Sequence, residues 1–304
     1  SGDMPSLFDA RWEDYWPESH QTDSLDRFEK ENSRSVSIPL PPAGGRAAFH
    51  CVQEFVNKIE EYEIQRDFPA EPGTSRFSLY LKNGSLVSSQ IVHALKLENE
   101  NWKQKTSRSK FLKEIVWREF YYSILWHHPR VETESFHLKY RDLAWENRED
   151  WFLAWQEGRT GFPIIDAGMR QLLQEGWMHN RVRMIVASFL TKDLLIDWRW
   201  GERHFMQHLL DGDIAPNNGG WQWAASTGCD PQPYFRIFNP LLQSQKFDPE
   251  GRYIKKYVPE LSALSANEVH APANPRAHGY PLPLVEHQEQ KAKALALFQG
   301  LRPH

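Results

Sequence analysis

An all-α fold is what this sequence predicts, on three observations. Apolar residues recur three and four positions apart along most of the chain after residue 44, no segment alternates with strand periodicity, and no internal repeat is present. In chain order the helical stretches are "AFHCVQEFVNKIEEY", "LVSSQIVHALKL", "KFLKEIVWREFYYSIL", "IIDAGMRQLLQEG", "HNRVRMIVASFLTKDLLIDW" and "ERHFMQHLLDG". Pro163 stands near one helix start and Gly176 at its end, the usual punctuation. The stretch from Pro272 to Pro283 reads as a Pro-rich loop, with a last helix after it to about Phe298. Ahead of all of these, residues 3 to 34 are acidic, and "SIPLPPAGGRAA" reads as a connector: proline fixes the backbone and Gly-Gly loosens it. The boundary falls near Gly44, giving an N-terminal extension and linker over 1–43 and a helical domain over 44–304. Ser1-Gly2-Asp3 before Met4 reads as the remnant of a cleaved tag.

Composition narrows the function. At 304 residues the chain can bury a sizeable core. Its formal charge of −4 requires any hold on nucleic acid to come from a local basic patch. The longest apolar run, "MIVASFL", is too short to span a bilayer and no apolar leader is seen, so a soluble, cytoplasmic protein is expected. Cys51 and Cys229 cannot make a four-thiolate cluster and give little reason to propose a disulfide framework, and no metal site is expected. Thirteen tryptophans stand out: core packing is the default for most of them, but oxidisable, flat indoles also suit electron transfer and base stacking.

Side chains placed on the helices sharpen this. Glu114, Trp117, Arg118 and Tyr121 fall at i, i+3, i+4 and i+7, so an acid, an indole and a guanidinium share one stripe. After Gly176, Trp177, Asn180, Arg181 and Met184 share a stripe fit to line a cavity, while Val182, Ile185, Val186 and Phe189 form an apolar face fit to pack. Residues 101–130 carry seven Lys or Arg against two Glu, a patch suited to phosphates, although any single Lys there reads more simply as a solvated helix face. In "PGTSRFSLY" the hydroxyls of Thr74, Ser75 and Ser78 and the guanidinium of Arg76 could meet an anion, but the segment is as readily a turn and helix cap. "DGDIAPNNGGWQW", residues 211–223, packs acids, amides and indoles into one stretch.

Taken together, "GTSRFS", "WREF", "GWMHNRVRM", "DGDIAPNNGGWQWAASTG" and "PYFRIFNP", in that order, closely resemble the flavin-binding helical domain of the photolyase/cryptochrome family, over about residues 40–260 and more weakly to the C-terminus. The match is to class I-like members that repair cyclobutane pyrimidine dimers; with Met4 as the natural start the chain resembles the short photolyase-like group without an N-terminal α/β antenna domain, and a truncated longer member is the rival explanation. The resemblance implies a multi-helical FAD-binding domain. Tyr62, Thr74, Ser75, Arg76, Phe77 and Ser78 match the phosphate and ribityl contacts, and Asp211 and Asp213 match the acidic flavin contacts. Arg183 is expected to pair with Asp211, and Asn217 matches the position beside flavin N5, where an amide favours the reduced forms used in repair.

The same resemblance divides the indoles. Trp117 and Trp223 match the pair that clamps a flipped-out dimer, with Glu114, Asn180 and Met184 completing the pocket and Glu114 and Asn180 hydrogen-bonding the dimer's carbonyls. Trp221, Trp198 and Trp145 match the relay that carries an electron from the surface to the excited flavin. Arg66, Arg181 and Gln243 match backbone-contacting positions on the DNA side, where Arg118 of the basic stripe is also expected to serve. Members that act on (6-4) photoproducts place histidines where this chain has Asn180 and Met184, which favours the dimer; His179 occupies a position common to both kinds and reads as a core or flavin-side histidine. Phe111 stands where many dimer photolyases carry Trp.

The implied activity is light-dependent splitting of dimers in UV-damaged DNA, single- or double-stranded, by reduced FAD in a monomeric enzyme with no antenna chromophore. A cryptochrome-like photoreceptor without repair activity is the alternative; Asn217 and the Trp117 and Trp223 pair argue against it. A helical nucleic-acid-binding module without cofactor is the third reading.

Overall fold

The computed structural model describes residues 38–300 apart from Trp102. Ser1, Gly2 and Asp3, expected to be a tag remnant, and most of the expected N-terminal extension lie outside the described residues. Residues from Leu40 onward form one compact unit. The described residues fold into helices and loops, with no strand among them, as the apolar spacing predicts.

Two apolar clusters organise this unit. The first begins with α1, Gly44–Val56, which buries Ala48, Val52 and Phe55 at i, i+4 and i+7. Onto that face pack Tyr62 of α2 (Tyr62–Gln65), Phe77 just ahead of α3 (Ser78–Leu81), Ile91 of α4 (Ser88–Ala94), and Phe111 and Ile115 of α5 (Ser107–His127). Phe111 sits at the centre, its ring centroid 4.8 Å from Phe55, 5.0 Å from Tyr62 and 5.8 Å from Phe77. Thr106 caps α5 by accepting the Ser109 N–H at 3.0 Å, while Ser109 Oγ accepts the Thr106 N–H at 3.1 Å.

The second cluster gathers α6 (Glu149–Gln156), α7 (Pro163–Glu175), α8 (Asn180–Ser188), α9 (Trp198–His208), α10 (Ile214–Ala225), α11 (Pro240–Phe247) and α12 (Arg252–Tyr257) around Trp155, Leu172, Val182, Val186, Trp198 and Ile254. α7 opens on Pro163 and closes at Gly176, whose φ of 61° is the left-handed geometry that glycine tolerates. The last helix, α13, spans His287–Gln299, and the Pro-rich loop before it holds one short 3₁₀ turn at Pro275–His278.

Two expected helices are broken. "AFHCVQEFVNKIEEY" ends as α1 at Val56 and goes on only through a 3₁₀ turn, Ile59–Glu61, into α2. "HNRVRMIVASFLTKDLLIDW" starts one residue later than its pattern suggests, because His179 is the N-cap of α8 and its Nδ1 accepts the Arg181 N–H at 3.1 Å. α8 then widens into a π-helical turn over Phe189–Asp193, and Asp197 caps α9 separately. The break buries two charged residues that an uninterrupted helix would leave to chance. Lys192 donates to the Ala225 carbonyl at 3.1 Å, at the end of α10, and Asp193 accepts from His287 at the start of α13. Periodicity alone does not reveal such a break, since the residues on both sides are apolar.

Among the described residues no helix is long and apolar enough to cross a membrane, and no cluster of His, Cys, Asp and Glu could hold a metal ion.

Candidate functional site

Between the two clusters lies a cavity of about 600 Å³. Its first wall comes from α2, the loop Thr74–Phe77, α3 and α5; the second comes from the α7–α8 loop, α8, α9 and α10. Cavities of this size suit a large organic ligand.

The loop "GTSRFS" contributes Thr74, Ser75, Arg76, Phe77 and Ser78 to the lining. Its backbone is held from behind: the Cys51 thiol donates to the Ser75 carbonyl at 3.2 Å, and the Phe77 side chain is buried in the first cluster. Arg76 has a φ of 54° and lies over the Trp177 ring at 4.0 Å, with Glu175 3.4 Å from its guanidinium. Trp177 therefore lines the cavity from the loop that precedes α8, not from the helix itself.

Arg183 and Asp211 are paired as expected, with Nη2 at 3.0 and 2.9 Å from the two carboxylate oxygens, and Nε of Arg183 also donates to the Met178 carbonyl at 2.8 Å. The Asp211 side chain is only 1% exposed, so this guanidinium is what makes a buried carboxylate tolerable there. Asp213 also lines the cavity but is already partnered, by Arg118 at 3.2 Å and by the Tyr122 hydroxyl at 2.7 Å. Arg118 thus faces an acid inside the site, which engages the donor expected on the DNA side. Asn217 reaches the cavity while its Nδ2 donates to the Glu202 carbonyl at 3.1 Å.

Glu114, Trp117, Asn180, Met184 and Trp223 all line the same cavity. Trp117 is 41% exposed, placing an indole at the edge of the site in contact with solvent. The Asn180 amide lies 3.8 Å from the Met184 sulfur. Arg66, expected to meet a DNA backbone, lines the cavity and is ion-paired with Glu114. Arg181 departs from the expected cavity stripe: it turns away to pair with Asp67 at 2.7 Å and to lie over the Phe247 ring at 4.3 Å. Arg183, two residues on, faces the cavity; Asn180, Arg183, Met184 and Ala187 all line it and fall at i, i+3, i+4 and i+7 of α8. Gln243 sits on α11, outside the cavity lining.

The three expected relay tryptophans are dispersed in depth. Trp221 forms part of the cavity wall, Trp198 is wholly buried, and Trp145 is partly buried against Phe298 at 6.3 Å. The ring neighbours of Trp221 are Phe205 at 5.0 Å and Trp155 at 6.1 Å. Trp155 and Tyr122 escaped the sequence reading: nothing in the local pattern of either distinguishes it from a packing or surface aromatic. His179 is buried, and burial pushes its pKa down to about 4, so it is a neutral core histidine near neutral pH.

The donor set fits a flavin dinucleotide. Hydroxyls and a guanidinium from the Thr74–Ser78 segment line the same cavity as an amide and two carboxylates held by arginines. A Cβ added at Gly220 on the cavity wall would meet no heavy atom within 4 Å, so that stretch of α10 presents bare backbone to open space.

Comparison with known proteins agrees with this geometry. The sequence model described as "FAD binding domain of DNA photolyase" matches residues 111–300. The deoxyribodipyrimidine photo-lyase of Escherichia coli is 48% identical, across 90% of this chain and 61% of its own length. That of Neurospora crassa is 44% identical across 89% of this chain and 47% of its own. The chain therefore spans about half to three fifths of these relatives. Among solved structures, a class III photolyase from Agrobacterium tumefaciens superposes with a TM-score of 0.80 at 39% identity, covering 94% of this chain and 62% of that one. A Synechocystis cryptochrome superposes with a TM-score of 0.78 at 30% identity, covering 88% and 58%. With the matched region taking in α5 through α13 and the cavity built largely from it, this chain belongs to the family of FAD-binding domains of DNA photolyase.

Proposed function

We propose that this chain is the light-driven repair domain of a deoxyribodipyrimidine photolyase, acting on cyclobutane pyrimidine dimers in UV-damaged DNA. One observation carries the reading: the residues that match cofactor contacts and those that match dimer contacts line one cavity. Thr74, Ser75, Arg76 and Ser78 would hold the phosphates and ribityl chain, with Arg183, Asp211, Asp213 and Asn217 around the flavin ring. Bound in its reduced form and excited by near-ultraviolet or blue light, FAD would supply the single electron whose loan and return split the cyclobutane ring.

The chain's own residues do the rest. Trp117 and Trp223 receive the flipped dimer between indoles; contacts of this kind are worth roughly 1–3 kcal/mol per base and offset a flip that costs a few kcal/mol. Glu114 is paired with Arg66, and a carboxylate so paired only accepts hydrogen bonds. It is therefore assigned to a pyrimidine imide N–H, while the Asn180 amide donates to a dimer carbonyl and steadies charge developing there. That assignment revises the expectation that both side chains bind carbonyls. Met184 fills the remaining wall, and Trp145, Trp198 and Trp221 serve as the electron relay toward the cofactor.

The test is an illuminated repair assay on a dimer-containing oligonucleotide, single-stranded and duplex, with a dark control and a flavin absorption spectrum. Light-dependent loss of dimers with flavin bound is expected. Bound flavin without repair would replace this reading with a photoreceptor, and a colourless protein that takes up no FAD would remove both.

A further inference from the structure

The two indoles assigned to the dimer stand on different helices, Trp117 on α5 and Trp223 on α10. Their separation is therefore a property of how those helices pack, and one contact lies next to both. Tyr121 is one helical turn beyond Trp117, and Gly219 one turn before Trp223. The Tyr121 ring lies directly on Gly219: a Cβ built there would fall 2.3 Å from Cε1 and 2.7 Å from Cγ, closer than any real Cβ contact. The ring also contacts Trp117, with centroids 6.0 Å apart and planes tilted by 30°. Behind it is a void of only about 20 Å³, lined by Ile124, Asn218, Gln222 and Cys229 among others. That is room for about one water, so the ring has little space into which to retreat.

From this geometry we infer that Tyr121, seated on Gly219, is the spacer that sets the width of the lesion slot and so its preference for a two-ring dimer over an undamaged base. The ring is a positioning residue. It holds α5 against α10 at one distance and lies against Trp117 on the cavity wall, while the glycine admits the ring that closely. A wider or skewed slot would lose contact with one face of the dimer but leave the charge-driven hold on undamaged DNA unchanged. The inference rests on the repair reading above.

The experiment compares binding of the flavin-loaded protein to a dimer-containing oligonucleotide and to its undamaged counterpart. Three variants are used: Gly219→Ala, Tyr121→Leu and Tyr121→Phe. Gly219→Ala and Tyr121→Leu are each expected to lower the damaged-to-undamaged preference by tenfold or more with undamaged binding unchanged. Tyr121→Phe keeps the ring and is expected to keep the wild-type preference. The double variant should be no worse than the poorer single one, because the two changes remove the same contact. If Gly219→Ala fails to fold, Tyr121→Leu decides. A wild-type preference in Tyr121→Leu overturns the spacer and leaves the repair reading standing; no preference in the wild type removes both.

Discussion

Replacing Arg183 with Ala isolates the ion pair on which the cavity's inner wall depends. Asp211 would keep its carboxylate at 1% exposure with no cation beside it, and the Met178 carbonyl would lose its 2.8 Å donor. Removing one partner of a buried pair costs about 3–5 kcal/mol. Arg183 is itself 24% exposed, so water can enter where the guanidinium was, and the lower end applies, about 3 kcal/mol. That is roughly a hundredfold or more in the folded-to-unfolded ratio, against a typical total of about 5–15 kcal/mol. Denaturant unfolding of cofactor-free protein measures it without the added stability of a bound ligand. The double change Arg183→Met with Asp211→Leu removes both charges and should recover most of the loss, although FAD uptake stays weak in both. A loss below about 1 kcal/mol in Arg183→Ala, or a double variant as unstable as the single, would refute the claim that the pair is a buried charge match.

Three other outcomes are expected. His179 has its pKa lowered by burial to about 4, below the ordinary 6.5, so the unfolded chain binds more protons between those values; its stabilising effect is whole above pH 6.5 and shrinks as pH falls toward 4. His179→Asn, which retains a capping side chain, should flatten stability over that window by up to about 3 kcal/mol relative to the wild type, and an unfolding free energy from urea titration that varies with pH as in the wild type would count against the assignment. Glu114→Ala should lower the number of dimers repaired per photon absorbed while flavin absorbance stays; an unchanged yield removes its role at the dimer. Trp145→Phe and Trp221→Phe should block light-driven reduction of oxidised flavin yet spare repair by protein reduced chemically beforehand, and wild-type photoreduction in both would exclude these residues from the relay.

Much of this protein was decided locally and was readable from the chain. Helical spacing, the Pro163 start, the Gly176 stop and the last helix each depend on neighbours within a few residues, and the structure places them accordingly. The family likeness lay in contiguous motifs, and it supplied the roles of the site residues; composition and spacing by themselves reach only a helical domain with an aromatic, basic cavity. The break after α8 was hidden, because buried Lys192 and Asp193 find partners on α10 and α13 rather than nearby.

The Arg183–Asp211 pair was foreseen from the family likeness, but three other arginine pairings belonged to the tertiary structure. Arg66 meets Glu114 across 48 positions, Arg118 meets Asp213 across 95, and Arg181 meets Asp67 across 114. Each arginine read alone was a free cation for a phosphate. A guanidinium takes the nearest partly buried carboxylate that folding brings to it, and which carboxylate that is follows from the packing of helices far apart in the chain. The residue types and the helices that carry them are thus set by sequence, whereas which donors are spent inside the cavity and how far apart its two indoles stand are set by how α5, α8 and α10 come together.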